Sequence, residues 1–336
     1  MSSYNFLRRS LYFIALATGA MLSTACEETE KDPEIPVESI ELNKVSIYAF
    51  TGDQIQLNAT ILPVNATDTH IEWSSSDENI AFVDSTGLVK IQHNEGTASI
   101  YATCEAAYAQ CDVTSVFAEI GQYYCSDGTI SDEYDPEKAV ALIFYTRHHP
   151  NDLSDYSSTG IGNEKCHGYA VALHDAIDSW CVWGPYEILE CYPKDQNGNP
   201  IDNFAGNTSD TDWSGYLYTQ IIQEAAQKLD GMWGPEKLEG YAACWYAVNY
   251  ENTVPAPATS SGWFLPAGSQ IWEVFENVDL LDRVEEHRFV TDDWYWSSSE
   301  YWDNPEEGAN FLNTQTKRIE GLDKSGGNLV RSILAY

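Results

Sequence analysis

The sequence predicts two unlike parts in tandem, an all-β sandwich over residues 36–118 and an α+β domain over residues 119–336. Three observations carry this. Short alternating apolar runs, separated by turn residues, recur about seven times before residue 118. Ten of the eleven Trp lie beyond residue 179, so the composition breaks between the two parts. Beyond the break a few segments repeat apolar residues at helical spacing, among short strand-like runs and long aromatic loops, which fits α+β better than a doubly wound sheet. With 43% hydrophobic residues over 336 positions, there is material for two cores.

The opening segment reads as an export signal. Arg8 and Arg9 precede a short apolar run, Leu11 to Leu22, too short for a membrane span of roughly 20 residues. Ser23, Thr24 and Ala25 then lead to Cys26. This resembles a bacterial lipoprotein signal over residues 1–25, with Leu22 one place further from the cysteine than usual, and implies lipidation of Cys26. The acidic run Glu27, Glu28, Glu30 and Asp32 resembles tags that send lipoproteins to the outer face of some Gram-negative bacteria. The expected partner is thus the outer membrane, reached through an amino-terminal lipid, and residues 26–35, with Pro33, read as a tether. Lys plus Arg number 17 against 52 Asp plus Glu, a formal charge of −35. Such a surface repels phosphate backbones, no basic patch interrupts it, and nucleic acid is not an expected partner.

In the first part the strand-like runs are Ser39 to Leu42, Lys44 to Tyr48, Gln54 to Ile61, His70 to Ser74, Ile80 to Val83, Gly87 to Ile91, Thr97 to Thr103 and Cys111 to Phe117. Trp73, the single Trp here, is expected between the sheets. The runs Val45-Ser-Ile, Gln56 to Thr67, Ile71 to Asp77, Ala81 to Val89 and Gly96 to Thr103 together resemble the bacterial immunoglobulin-like group 2 domain, in which the module is usually a spacer or adhesion unit. In that fold Cys104 and Cys111 would sit at facing ends of the last two strands, joined by residues 105–110, and a disulfide between them is expected. If Cys26 carries lipid, seven of the eight Cys remain, so at least one is free or pairs with another molecule. No CxxC spacing supports a redox dithiol or a thiolate zinc site.

In the second part, helical spacing appears over Thr219 to Leu229, over Ser269 to Val278 with Ser269 as N-cap, and within Pro235 to Tyr250. Strands are expected at Ala139 to Tyr145, Gly168 to Leu173, Trp294 to Ser297 and Asn328 to Leu334. The order Gly121 to Ser131, Ala141 to Tyr145, His167 to Ala176, Gly262 to Val274, Tyr295 to Tyr301 and Val330 to Tyr336 resembles a paralogous domain of bacterial surface lipoproteins, the Fibrobacter succinogenes major domain type. That resemblance implies a C-type-lectin-like fold and a surface-exposed binding or fimbria-like accessory role. Trp263, Pro266, Trp296, Ser298, Glu300 and Arg331 fall in its motifs and are expected to be structural. Pro266 fixes the chain direction before a helix. The hydroxyls of Trp296-Ser-Ser-Ser-Glu satisfy buried backbone groups. Glu300 either accepts from those hydroxyls or pairs with Arg331.

Several residues invite chemistry. Cys166-His167 with His174 and Asp175 suggests a thiol nucleophile, but adjacent side chains on extended chain point apart and cannot form a dyad. His148 and His149 match no zinc spacing. Nucleophile-elbow, P-loop and metalloprotease motifs are absent. Oxygen-rich loops at Asp195 to Asn199, Asn207 to Trp213 and Trp302 to Glu307 suit calcium. The last resembles the calcium-and-sugar loop of C-type lectins, with Asp303, Asn304 and Glu306 as ligands, though it lacks their Glu-Pro-Asn. Aromatic side chains in polar loops can stack on sugar rings. Trp213, Tyr216, Trp233, Tyr301 and Trp302 are the candidates, with Asp303 and Asn304 to bond hydroxyls. The expected function is a surface lipoprotein binding a glycan or protein ligand. A cell-surface hydrolase and a fimbria-associated structural subunit are the alternatives, and no cofactor besides calcium is suggested.

Overall fold

A computed structural model describes residues 33–201, 210–229, 231–234, 240–284, 289 and 292–336. The signal segment and Cys26 lie outside them. Both expected fold classes are present. The amino-terminal part is an all-β sandwich whose larger sheet runs in the order β2 (Ser46–Phe50), β9 (Ala107–Val116), β8 (Gly96–Cys104), β5 (Glu72–Ser75). The second sheet is β3 (Gln54–Gln56), β7 (Leu88–Ile91) and β6 (Ala81–Val83). β1 (Ser39–Leu42) pairs with β4 (Ala59–Leu62) alongside. The β2–β9 pairing is parallel, from Ser46 opposite Asp112 to Phe50 opposite Val116, while the other pairings are antiparallel.

The expected run Gln54 to Ile61 divides between two partners: Gln54–Gln56 pair with β7, in a register that the Leu57 N–H to Gly87 O bond extends, while Ala59–Leu62 pair with β1. Ile47, Leu57, Val89, Ile100 and Val113 form the core between the sheets, with Trp73 at its edge. Gly87 has φ +83°, and a Cβ there would stand 2.7 Å from the Trp73 ring, so the turn at 87 admits only glycine without rearrangement. The expected Cys104–Cys111 disulfide is not formed. The hairpin places Cys104 opposite Ala107 and Cys111 opposite Ile100, and both are free, buried thiols. A turn of two residues, rather than six, sets that register.

The carboxy-terminal part holds two antiparallel sheets. One runs β11 (Ile130–Ser131), β10 (Tyr123–Cys125), β12 (Ala139–Tyr145), β13 (Tyr169–Ala172), β17 (Ile333–Ala335). The other is β14 (Trp294–Glu300), β15 (Gly308–Asn313), β16 (Arg318–Asp323). Helices α1 (Gly215–Lys228) and α3 (Gly268–Glu276) pack on β14, and α2 (Ala242–Asn249) and α4 (Val278–Leu281) flank them. No helix among the described residues is long and apolar enough to cross a membrane. The expected last strand is shortened, because Asn328 and Leu329 leave it to bridge Cys181 and Tyr295.

The N-cap of α3 is Ala267, not Ser269. The first-turn donors are met from elsewhere: Gly268 N donates to Asp212 Oδ2 and to Ser299 Oγ, both at 3.2 Å, and Ala267 N donates to Gln270 Oε1 at 2.9 Å. Pro266 O accepts from Ser298 N at 2.7 Å, so the two motif segments are stitched together. Trp296 is fully buried and donates to Cys181 O, and Trp263 donates to Val254 O.

Glu300 and Arg331 do not pair with each other. Glu300 takes Lys324 Nζ at 2.7 Å and the N–H groups of Leu189 and Cys191. Arg331 bonds Asp175 Oδ1 at 2.9 Å and the carbonyls of Ala172 and Leu173. The domains meet where Phe50 packs against the rings of His167 and Tyr336, centroids 5.1 and 5.2 Å away, and Asp53 bonds His167 at 2.7 Å.

Lys324 and Glu300 are both fully buried. Replacing Lys324 with Met strands the carboxylate and is expected to cost about 3–5 kcal/mol in urea unfolding. The double variant Lys324→Met/Glu300→Gln should recover part of that loss, which the double-mutant cycle measures.

Candidate functional site

After β13 the chain leaves its sheet, and residues 174–183 run beside 324–329, with Cys181 N bonded to Asn328 O and Trp183 N to Lys324 O. Extended chain turns alternate side chains to opposite faces. Cys181 and Trp183 therefore enter the core while Trp180 faces outward, 66% exposed. Its indole N–H donates to Asp293 Oδ2 at 2.8 Å, which fixes the ring by its edge and leaves its faces unused by hydrogen bonding. Beside it opens a groove of about 540 Å³ lined by Asp175, Ile177, Asp178, Ser179, Asp293 and Leu329.

The groove is anchored by the motif residues beneath it. Asp175 accepts from Arg331 on one oxygen and from Tyr295 OH at 3.2 Å on the other. Burial raises its pKa above the ordinary carboxylate value, against the opposing pull of Arg331. The result is an indole face beside carboxylates and a hydroxyl. Such a surface can stack on the C–H face of a sugar while the oxygens bond its hydroxyls.

The sites expected from sequence are largely packing. Trp213 is corrected outright: it is buried, with His149 stacked on it at 4.0 Å and 9° between the planes. Tyr216 is half-buried against Tyr156 and Phe264. Trp233 is half-buried against the core of α1 and α2. Tyr301 and Trp302 are also half-buried, and Tyr301 lies so close to Gly321 that a Cβ there would stand 2.6 Å from its ring. Asp303, Asn304 and Glu306 are exposed on the loop's outer side. Beneath that loop Lys324 Nζ takes Pro305 O at 2.8 Å as well as Glu300, so an ammonium holds its inner acceptors. No group of three or more His, Cys, Asp or Glu among the described residues could hold a metal. Trp180 was missed, although the alternation Trp180-Cys-Val-Trp183 carries the signal that 181 and 183 share one face and 180 the other.

Cys166 does meet an imidazole, that of His148, at 3.5 Å. The electrostatics oppose catalysis. Burial first, and Asp152 second, push the thiol well above its ordinary value, and burial lowers His148. Both groups are held neutral, the reverse of a thiolate–imidazolium pair. His167 turns away to Asp53.

Residues 36–113 match the family model of the bacterial Ig-like domain (group 2). That segment is a group 2 bacterial Ig-like domain. Two curated proteins share short stretches. Kappa-carrageenase of Pseudoalteromonas carrageenovora is 38% identical over 66 residues, 20% of this chain and 16% of the enzyme. The 3-O-alpha-D-galactosyl-alpha-L-arabinofuranosidase of Bifidobacterium longum subsp. longum is 42% identical over 55 residues, 16% of this chain and 5% of the enzyme. The chain thus spans a small part of either relative. The solved structure of a fimbrial protein from Bacteroides ovatus superposes with a TM-score of 0.50 over 89% of this chain and 70% of that one, at 11% identity, and shows a shared fold across both domains.

The buried His149 yields a pH prediction. Desolvation lowers its pKa from 6.5 to about 4. Between those values the unfolded chain binds a proton that the folded one refuses, so stability should fall as pH drops from 6.5 to 4. The loss is on the order of 2–3 kcal/mol, and thermal unfolding across this window should show His149→Gln flattening the dependence.

Proposed function

We propose that the chain is a surface-exposed, lipid-anchored binding protein that acts in adhesion or ligand capture. Cys26 carries the lipid, the Ig-like domain is the spacer, and the carboxy-terminal domain is lectin-like and presents the ligand site. The observation that carries this is the exposed Trp180 face, fixed at its edge by Asp293 beside a groove of carboxylates and a hydroxyl. A glycan is the ligand this surface fits best. The fold shared with a fimbrial protein supports a role at the cell surface. A hydrolase would need an activated ionisable pair in a concave site. The groove carboxylates are instead engaged by Arg331, Tyr295, Trp180 and Trp294, with Asp178 exposed at the rim. A fimbria-associated subunit is the second reading, supported by the same shared fold.

The test is a broad glycan array probed with the purified protein in calcium and then in EDTA. Binding is expected to persist in EDTA, because the groove carboxylates form no metal-holding group among the described residues, and Trp180→Ala should weaken it at least about tenfold, roughly 1.4 kcal/mol, with an unchanged melting temperature. Binding lost in EDTA would instead assign a calcium-dependent site and overturn the Trp180 groove. Binding to no printed glycan would turn the reading toward a protein ligand or a fimbrial subunit.

A further inference from the structure

The cavity between the two domains presents a guanidinium and, among the described residues, no carboxylate in its lining. It encloses about 300 Å³, bounded by Phe50 and Phe117 on the sandwich side and by Arg147, His148, Cys166 and His167 on the other. Acids outnumber Lys and Arg by 52 to 17 in this chain, yet among the described residues no carboxylate lines the cavity. Three carboxylates border its lining groups, each held by its own hydrogen bonds. Asp53 bonds His167 at 2.7 Å and accepts from Phe50 N at 3.0 Å. Asp152 accepts from Ser154 N and from the hydroxyls of Tyr156 and Tyr169. Glu95 accepts from Phe117 N at 3.0 Å.

Arg147 stands apart. Its Nε donates to Tyr145 OH at 3.2 Å, and its guanidinium lies 5.7 Å from that ring's centroid, but it makes no ion pair among the described residues. It is exposed, so its two terminal nitrogens are accessible. A planar guanidinium with that edge unused is shaped for bidentate pairing with a carboxylate, sulfate or phosphate. Phe117, 41% exposed, lines the same cavity and offers it an apolar ring.

We propose that this interdomain cavity binds a small organic anion: an acidic group held by Arg147, carried on a body of sugar-ring size that packs against Phe117. The volume suits one such ring with its substituent. Arg147 supplies the charge that meets the anion, with no carboxylate among the described lining residues to compete for it. Because both domains line the cavity, the ligand bridges them. The site is separate from the Trp180 groove and does not depend on it.

Calorimetry on the purified protein at low ionic strength tests this with D-galacturonate, D-galactose 6-sulfate and neutral D-galactose. The two acidic sugars are expected to bind, with galactose at least about tenfold weaker. Raising salt from about 20 mM to about 200 mM should weaken the acidic sugars. Arg147→Gln should reduce their affinity at least about tenfold and Phe117→Ala several-fold. Both side chains are exposed, and an unchanged melting temperature shows that the variants are folded. Trp180→Ala should leave this binding intact. Equal binding of galacturonate and galactose, absence of binding, or loss in Trp180→Ala with retention in Arg147→Gln would each overturn the proposal.

Discussion

The buried pair of Lys324 and Glu300 is the constraint on which the carboxy-terminal domain depends. The ammonium has three donors and meets three acceptors, Glu300 Oε1, Glu187 O and Pro305 O, while lying 4.6 Å from the centroid of the Trp183 ring. The carboxylate in turn receives the N–H groups of Leu189 and Cys191. Two charges taken out of water are tolerable only when every donor and acceptor is met in this way. The pair therefore gathers residues 187–191, the end of β14, the 301–307 loop and residue 324 around one point. Held there, the segment leading back through Trp183 has a fixed register, and Trp180 has a fixed outward position.

The same logic of satisfied polar groups joins the two aromatic motifs. Ser297 Oγ donates to Asn310 O, and Ser299 Oγ receives the first N–H of α3. Asp212 Oδ2 shares that same N–H, and the Asp212 carbonyl receives the next one, from Ser269. A run of three small hydroxyl residues inside a core would be costly alone. Here two of them replace the water that a helix terminus and a neighbouring strand would otherwise need, and Ser298 contributes through its backbone.

Much of this was legible in the sequence. Alternation located the strands of the sandwich, and helical spacing located α1 and α3, because those patterns report which face is buried. Pairings at a distance were not legible. Arg331 and Glu300 stand out in the sequence, but their partners Asp175 and Lys324 are chosen by topology, which no spacing rule encodes. The cysteine pair failed for a related reason: two residues on neighbouring strands meet only if the turn sets the register, and a shorter turn slid Cys111 to Ile100. Trp213 is buried and Trp180 exposed because composition says how many aromatics a loop holds and not which ring a neighbouring His149 will cover.

The parallel pairing of β2 with β9 has a mechanical consequence. β2 lies near the amino-terminal entry of the sandwich and β9 leads out to the second domain, and they run the same way over five paired positions. A load applied between the chain's beginning and the carboxy-terminal domain pulls these strands in opposite directions along their length. Their ladder is then stretched in shear, with its bonds loaded together instead of opened one after another. The sandwich is built as a clamp in series with the second domain.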